Sequence, residues 1–278
     1  MTDAAHRRPL NSAQLAVLEL LYKYRFSTND QLARYFGKTD GRAVQKRLDI
    51  LLVQGYIGQR YDKTYKLQGR RAEYYLLPKG AKLLQSKRAK DSPEPITDQA
   101  IKNRYKDKTA SEQFLRQSKH VLDLYLMFRR LYTEGRFYPK ISLQAYDYMP
   151  QPLPDAFTLM TNPKSKTKPR RYFIDIFTDD VPLFVIIRRI KKYATYYDDR
   201  EWPDDNPPAL LFILESQRRQ KQVTRRIAKE LREAYLDEDD ITWANSTLQA
   251  VMGAMSTQDK IWTRVTEPGK PVSLDKIL

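Results

Sequence analysis

Apolar positions recur at helical spacing in three stretches near the start of the chain. Between residues 12 and 24, Leu15, Leu18, Leu21 and Tyr22 share one stripe, and Ser12 stands where an N-cap is wanted. Ser27 opens a second short helix with Leu32, Ala33 and Phe36 inward, ended at Gly37. A third helix is predicted over 42–54, stopped at Gly55. It has Val44, Leu48, Leu51 and Leu52 on one face and Arg42, Gln45, Lys46 and Asp49 on the other. The pattern then changes to strand-like alternation over 56–61 and 73–77. Between these lies a polar segment, 62–71, with Gly69 and four cations. Pro78 and Gly80 open a further helix to about residue 84.

Residues 87–110 are rich in Lys, Asp, Pro and Ser with little periodicity, the mark of a linker. An amphipathic helix resumes over 111–133, carrying Phe114, Leu115, Val121, Leu122, Leu124, Tyr125 and Phe128. Short strands are predicted over 141–148, 156–160 and 172–177, with a basic loop at 161–170. A helix over 182–197, a buried strand over 209–214 and a basic helix over 217–235 follow. Strands over 241–244 and 260–265 close the chain. The order α-β-β-β-α-β-α-β suits a mixed sheet with helices on both faces. The chain thus reads as α+β, with an N-terminal domain over 1–86, a linker over 87–110 and an α/β domain over 111–278.

Composition narrows the classes. A length of 278 residues suffices for two domains, and 41% hydrophobic with 30% charged residues describes a globular chain with a heavily charged surface. The apolar run from Leu183 to Ile187 is broken by Arg188, and no run approaches the roughly 18–20 residues that a membrane span needs. No secretory leader is visible over 1–9, so a cytoplasmic location is expected. The absence of cysteine excludes disulfides and thiolate metal sites, and two histidines, His6 and His120, are too few for a His-rich one. Any metal would be a hard cation on carboxylates. Charge is uneven. Residues 1–90 hold 19 Lys and Arg against 7 Asp and Glu, a surplus of +12, while the other 188 residues add only +4.

Three helices followed by a hairpin with a basic tip is the order of a winged helix-turn-helix, and the local surplus is the footprint of a DNA-binding module. In that fold the third helix enters the major groove. Arg42, Gln45 and Lys46 are therefore the candidate base readers, and Lys63, Lys66, Arg70 and Arg71 on the wing are suited to phosphates. The plainer alternatives are a solvated charged face or a protein-docking surface.

The second domain carries an acidic pair. Pro154-Asp155 precedes one strand, and Asp175 sits inside the next, within Tyr172-Phe173-Ile174-Asp175-Ile176-Phe177. Two carboxylates on neighbouring strands can hold a divalent ion that activates water for phosphodiester cleavage. This arrangement resembles the restriction-endonuclease-like fold, whose active members read PD and then (D/E)-x-K. Phe177 stands here at the Lys position. Arg189 and Lys191 border the buried stripe of the following helix and are the candidate replacements, while Arg188 and Lys192 point away. The missing lysine favours an inactive centre. Packing is the expected role of Tyr193, Tyr196, Tyr197 and His120, and the acidic run at 237–240 reads as a solvated loop.

The whole resembles the replication-relaxation family of plasmids and integrative mobile elements. The resemblance rests on Tyr74-Tyr75-Leu76-Leu77-Pro78-Lys79-Gly80, Leu153-Pro154-Asp155-Ala156, the Asp175 strand, Arg189-Ile190-Lys191-Lys192-Tyr193 and Leu210-Leu211-Phe212-Ile213. Family members show acid-x-acid on the middle strand and a Lys four residues before the helix Tyr. Here Phe177 replaces the second acid and Arg189 the Lys. The resemblance implies DNA binding in replication, relaxation or transfer, or in its control, with duplex DNA as partner. Replication or transfer proteins and a second copy of the chain are the other partner classes left open, and no membrane is expected. DNA binding needs no cofactor, and Mg²⁺ on Asp155 and Asp175 enters only if the nuclease-like site functions. Two alternatives stand beside this reading: a metal-dependent nickase using Asp155 and Asp175, and a protein–protein adaptor in a transfer machinery.

Overall fold

The computed structural model describes residues 9–88, 94–160, 169–199, 207–236 and 241–277. The basic stretch at 161–168, the acidic run at 237–240 and His6 lie outside the described residues. The chain is a mixed α+β protein divided into two compact units, Met1–Leu122 and Asp123–Leu278.

In the first unit, α1 (Ser12–Tyr24) begins one residue earlier in its capping than the sequence suggests. Asn11, not Ser12, is the N-cap. Its side chain accepts from Gln14 N at 2.9 Å, while Gln14 Oε1 accepts from Asn11 N at 3.0 Å. The same reciprocal box, now Thr28 with Gln31, starts α2 (Asn29–Tyr35), so Ser27 is not the cap either. Ser27 instead lies inside β1 (Phe26–Thr28), a strand too short to leave a periodic signal. After α3 (Arg42–Val53), β2 (Ile57–Arg60) and β3 (Glu73–Leu76) pair antiparallel, and β1 adds to the far side of β3, giving the order β1-β3-β2. Gly58 is required there, because a Cβ would fall 2.3 Å from the Tyr75 ring.

The hairpin tip is not the open loop that its polarity suggests. Residues Lys63–Leu67 form a short helix, α4, capped by Asp62. The buried Tyr65 anchors it, donating its hydroxyl to Glu73 Oε2 at 2.7 Å.

The largest departure concerns the expected linker over 87–110. After α5 (Pro78–Lys87), the described part of that stretch holds α6 (Asp98–Lys102) and a 3-10 segment (Asn103–Thr109), with Ile96, Ile101, Arg104 and Asp107 buried. Arg104 donates to the Tyr22 carbonyl at 3.1 Å and lies over the Tyr22 ring, while Asp107 pairs with Arg25 and Arg104. Charged residues that look solvated in sequence are here neutralised inside the unit. The division between units accordingly falls within α7 (Glu112–Leu131) rather than ahead of it.

The second unit is built on a seven-stranded sheet. Its strands are β4 (Arg136–Pro139), β5 (Ala156–Met160), β6 (Arg170–Phe177), β7 (Ala209–Leu214), β8 (Trp243–Thr247), β9 (Trp262–Arg264) and β10 (Pro271–Val272), laid down in spatial order β10-β9-β8-β7-β6-β5-β4. The β6–β7 and β7–β8 pairs are parallel and the rest antiparallel, so the sheet is mixed. All six residues of β7 are buried, as a strand flanked by parallel neighbours requires. The strand expected over 141–148 is absent. Its place in the order is taken by β4, and Lys140–Leu143 form a short helix, α8. Helices α9 (Leu183–Asp198) and α10 (Gln217–Glu233) press Ile186, Ile190, Tyr193, Val223, Ile227 and Leu231 onto the sheet face formed by Phe173, Leu210, Phe212, Leu214 and Trp243. A further short helix, α11 (Leu248–Gly253), follows β8.

The Asp107 network yields a stability prediction. Asp107→Ala leaves the buried Arg104 without its carboxylate and should destabilise the full chain by about 3–5 kcal/mol in urea titration. A change below about 1 kcal/mol would mean that residues 97–109 do not hold the unit together.

Candidate functional site

Two places collect the candidate residues. In the first unit, α3 is fixed to its neighbours by Gln45. The side-chain carbonyl of Gln45 accepts from Asn29 Nδ2 at 2.6 Å, and its amide nitrogen donates to Asp49 at 2.8 Å and to the Tyr74 hydroxyl at 3.3 Å. Both ends of the amide are engaged in holding α3 against α2 and β3, so the expected base-reading amide is a clamp in the free protein. Arg42 and Lys46, one helical turn apart, are exposed beside it. The carboxylate near Arg42 is Asp40, at 3.9 Å and itself exposed, which holds the guanidinium weakly. Arg47 lies with its guanidinium 5.3 Å from the Phe36 ring centre.

The wing cations divide in two. Lys63 and Lys66 stand exposed on α4, with the Lys66 ammonium 5.5 Å from the Tyr61 ring centre. Arg70 and Arg71 are committed elsewhere. Arg70 binds Glu112 at 2.6 Å and Glu73 at 3.5 Å and stacks 4.1 Å over the Tyr65 ring, while Arg71 pairs with Asp30 at 2.8 Å. Glu73, 1% exposed, also receives Lys119, so one buried carboxylate gathers the hairpin tip and α7. The sequence offered no periodic cue to these partners, since each lies 40 or more positions from its arginine or, like Glu73, reads as a strand residue.

In the second unit, Asp155 and Asp175 are brought together as expected. The backbone N–H of Asp155 donates to Asp175 Oδ1 at 3.1 Å, and Ile176 N donates to Asp155 Oδ2 at 2.9 Å. Arg189 of α9 joins them. Its Nε donates to Asp175 Oδ2 at 2.6 Å, one Nη to Asp175 Oδ1 at 3.3 Å and to the Tyr193 hydroxyl at 2.6 Å, and the other Nη to the Pro152 carbonyl. Arg189 and Asp175 are both buried. Lys191 does not reach this centre. It is exposed and pairs with Glu230 of α10 at 3.4 Å, and this corrects the expectation that either border cation could serve. The Arg189–Tyr193 contact was legible as an i, i+4 pair on one helix face.

Electrostatics follow from burial. Enclosure by protein, and secondly the charge of Asp175, push the Asp155 carboxyl up from 3.8 to about 6, with Lys140 opposing. Burial and the Asp175 carboxylate raise the Tyr193 hydroxyl well above its ordinary value, so it stays a neutral phenol. Both Asp175 oxygens are occupied by the Arg189 guanidinium and the Asp155 amide, and among the described residues no three His, Asp or Glu gather as a metal-binding group. The residues as folded do not fit a divalent ion. The Arg189 guanidinium already supplies the counter-charge of Asp175.

The family described as replication-relaxation matches residues 18–210, more than two thirds of the chain and spanning both candidate places. The chain belongs to the replication-relaxation family. No curated protein and no solved structure matches this replication-relaxation protein. No helix among its described residues is long and apolar enough to cross a membrane.

Three outcomes test the acidic centre of this replication-relaxation protein. Asp155 is protonated in both folded and unfolded chains well below pH 3.8, and the folded chain resists its ionisation until about pH 6. Through this group, stability therefore falls as pH rises across that window. Asp155→Asn should flatten the fall between about pH 4 and pH 6 in urea titrations, and an unchanged slope would refute the assignment. Arg189→Ala strands Asp175 and should cost about 3–5 kcal/mol. Millimolar Mg²⁺ should leave the wild-type Tm unmoved, because the guanidinium already satisfies Asp175. A metal-dependent rise in wild-type Tm would show that the ion displaces Arg189.

Proposed function

We propose that residues 12–76 form a winged helix-turn-helix that binds duplex DNA, with α3 as the recognition helix and α4 at the tip of the wing. The order α1-β1-α2-α3-β2-β3, with three strands arranged β1-β3-β2, supports this reading. The observation that carries it is the state of α3. Gln45 clamps the helix at its inner border, while Arg42 and Lys46 project into solvent from the same two turns. A rigidly held helix with free cations is pre-organised to place side chains against base edges.

In this reading the protein acts at an origin or promoter of a plasmid or integrative element, as a regulator or accessory factor in replication, relaxation or transfer. Membership of the family supports that setting. The second unit, in which β4, the short α8, β5 and β6 are followed by α9, β7, α10 and β8, is proposed to be a restriction-endonuclease-like domain whose centre is degenerate. Phe177 and the Arg189–Asp175 pair favour this over the nickase reading, and binding then needs no metal. No observation favours the adaptor reading in particular.

In salt-titrated binding to duplexes, Arg42→Ala and Lys46→Ala should each weaken a specific site by about 1–3 kcal/mol, with a smaller effect on random sequence. Lys63→Ala with Lys66→Ala should weaken all sequences alike and reduce the salt slope by about 2. Arg70→Ala should instead lower stability, since Arg70 is held by Glu112 and Glu73. Salt-dependent duplex binding that survives all four α3 and wing substitutions unchanged would reject the winged-helix reading.

A further inference from the structure

The strongest unassigned feature is the outer face of α10. From Gln217 to Lys229 this helix contains six Lys and Arg and no acid; its carboxylates, Glu230 and Glu233, come only in the last turn. Three of the cations are already used. Arg219 bonds the Asp179 and Val181 carbonyls, Arg226 pairs with Glu230 at 2.7 Å, and Lys229 with Glu233 at 3.4 Å. The other three, Arg218, Lys221 and Arg225, are exposed, and no described carboxylate lies within ion-pair distance of any of them. Their spacing of three and four residues places them on one stripe about 10 Å long, bordering an open groove of about 780 Å³ that also touches Leu183.

Like charges at i, i+3 and i, i+4 repel and weaken a helix. An ordinary solvated helix relieves this by interleaving acids, as α7 does with Glu112, Arg116, Lys119 and Asp123. Among the described residues the stripe on α10 has no such relief, which leaves it open to a counter-charge from outside. A membrane surface fits poorly, because the apolar residues of α10, Val223, Ile227 and Leu231, are buried against the sheet and none remains to insert. A phosphodiester backbone fits well. It presents a dense row of negative charge, one phosphate per about 3.4 Å of axis on each strand, against which three cations spread over about 10 Å can be neutralised.

We propose that the second unit carries its own DNA contact, in which Arg218, Lys221 and Arg225 of α10 hold consecutive phosphates of duplex DNA without reading sequence. The inference does not depend on the α3 reading, because its residues lie in the other unit. It gives the unit a role in binding that needs no chemistry at Asp155 or Asp175.

The test uses the full chain and a fluorescent random-sequence duplex titrated across salt. Arg218→Glu, Lys221→Glu and Arg225→Glu together should weaken binding about tenfold or more and reduce the salt slope by roughly 2–3. The corresponding triple Gln variant should show the same direction and decides the matter if the Glu variant does not fold. A control with the same charge change elsewhere, Arg136→Glu, Lys260→Glu and Lys276→Glu, should leave the slope near wild type. Equal slopes in the α10 variant and wild type would overturn the proposal. So would an equal loss in the control, which would make the effect one of net charge. Loss of binding to phosphatidylserine vesicles without loss on duplex DNA would also overturn it. An α10 effect alongside silent Arg42 and Lys46 variants would sustain this contact while removing the recognition role of α3.

Discussion

The Arg189 guanidinium ties together three segments of chain, 152–155, β6 and its own helix α9, and the polar edge of the second unit takes its form from that bond set. Asp175 comes from the middle of β6, the Pro152 carbonyl from the segment ahead of β5, and Tyr193 from the next turn of α9, while Asp155 is drawn in through Asp175. A buried pair of this kind is rarely worth more than a well-packed apolar replacement, because removing two charges from water costs several kcal/mol each. Its consequence is register. Turning α9 by one residue rotates its face by about 100° and would set Arg188 or Ile190 against a buried carboxylate, which neither could serve without losing its own environment. The apolar stripe of Ile186, Ile190 and Tyr193 supplies the adhesion, and Arg189 selects one of the rotations that the stripe allows.

The first unit applies the same device with the sign reversed. There a buried acid, Glu73, collects Tyr65, Lys119 and Arg70, and a second, Asp107, collects Arg25 and Arg104. A net charge of +16 therefore overstates the cationic surface open to a partner. Arg70, Arg104 and Arg25 are consumed by folding, Arg71 is held only by the exposed Asp30, and Lys46, Lys63 and Lys66 remain exposed to a ligand. At the hairpin tip the division follows chemistry, with Arg70 fixed and Lys63 and Lys66 exposed. Planar guanidinium groups suit fixed bidentate and stacked geometries, and lysine suits a mobile contact with phosphate.

The long elements were legible because their periodicity is strong. Residues 12–24, 156–160 and 209–214 fold with the expected bounds, and the helices predicted over 42–54 and 182–197 end within a residue of them. What sequence pattern misplaced has a common cause. Residues 97–109 look like a linker because their charges are dense, yet Arg104 and Asp107 are buried by neutralising each other, an event that periodicity does not register. The strand expected over 141–148 failed for a different reason: Tyr138 and Phe137, just upstream, supply the aromatic pairing with Tyr125, Phe128 and Phe157 that holds β4 in the sheet. At the acidic centre, the approach of Asp155 to Asp175 could be read from strand order. The choice of Arg189 over Lys191 could not, because both border the same stripe and Glu230, which takes Lys191, lies on another helix.

The surroundings of Phe177 show what a lysine at that position would meet. Phe177, where a catalytic lysine would stand, is buried and packs its ring 4.9 Å from Phe212 within the core that α9 and α10 cover. An ammonium placed there would be desolvated next to aromatic rings, with the nearest acid of the motif already satisfied by Arg189. Restoring the lysine alone would thus introduce an unpaired buried charge, and removing Arg189 alone would strand Asp175. As folded, the carboxylate pair is engaged in hydrogen bonds that join β6, α9 and the segment ahead of β5.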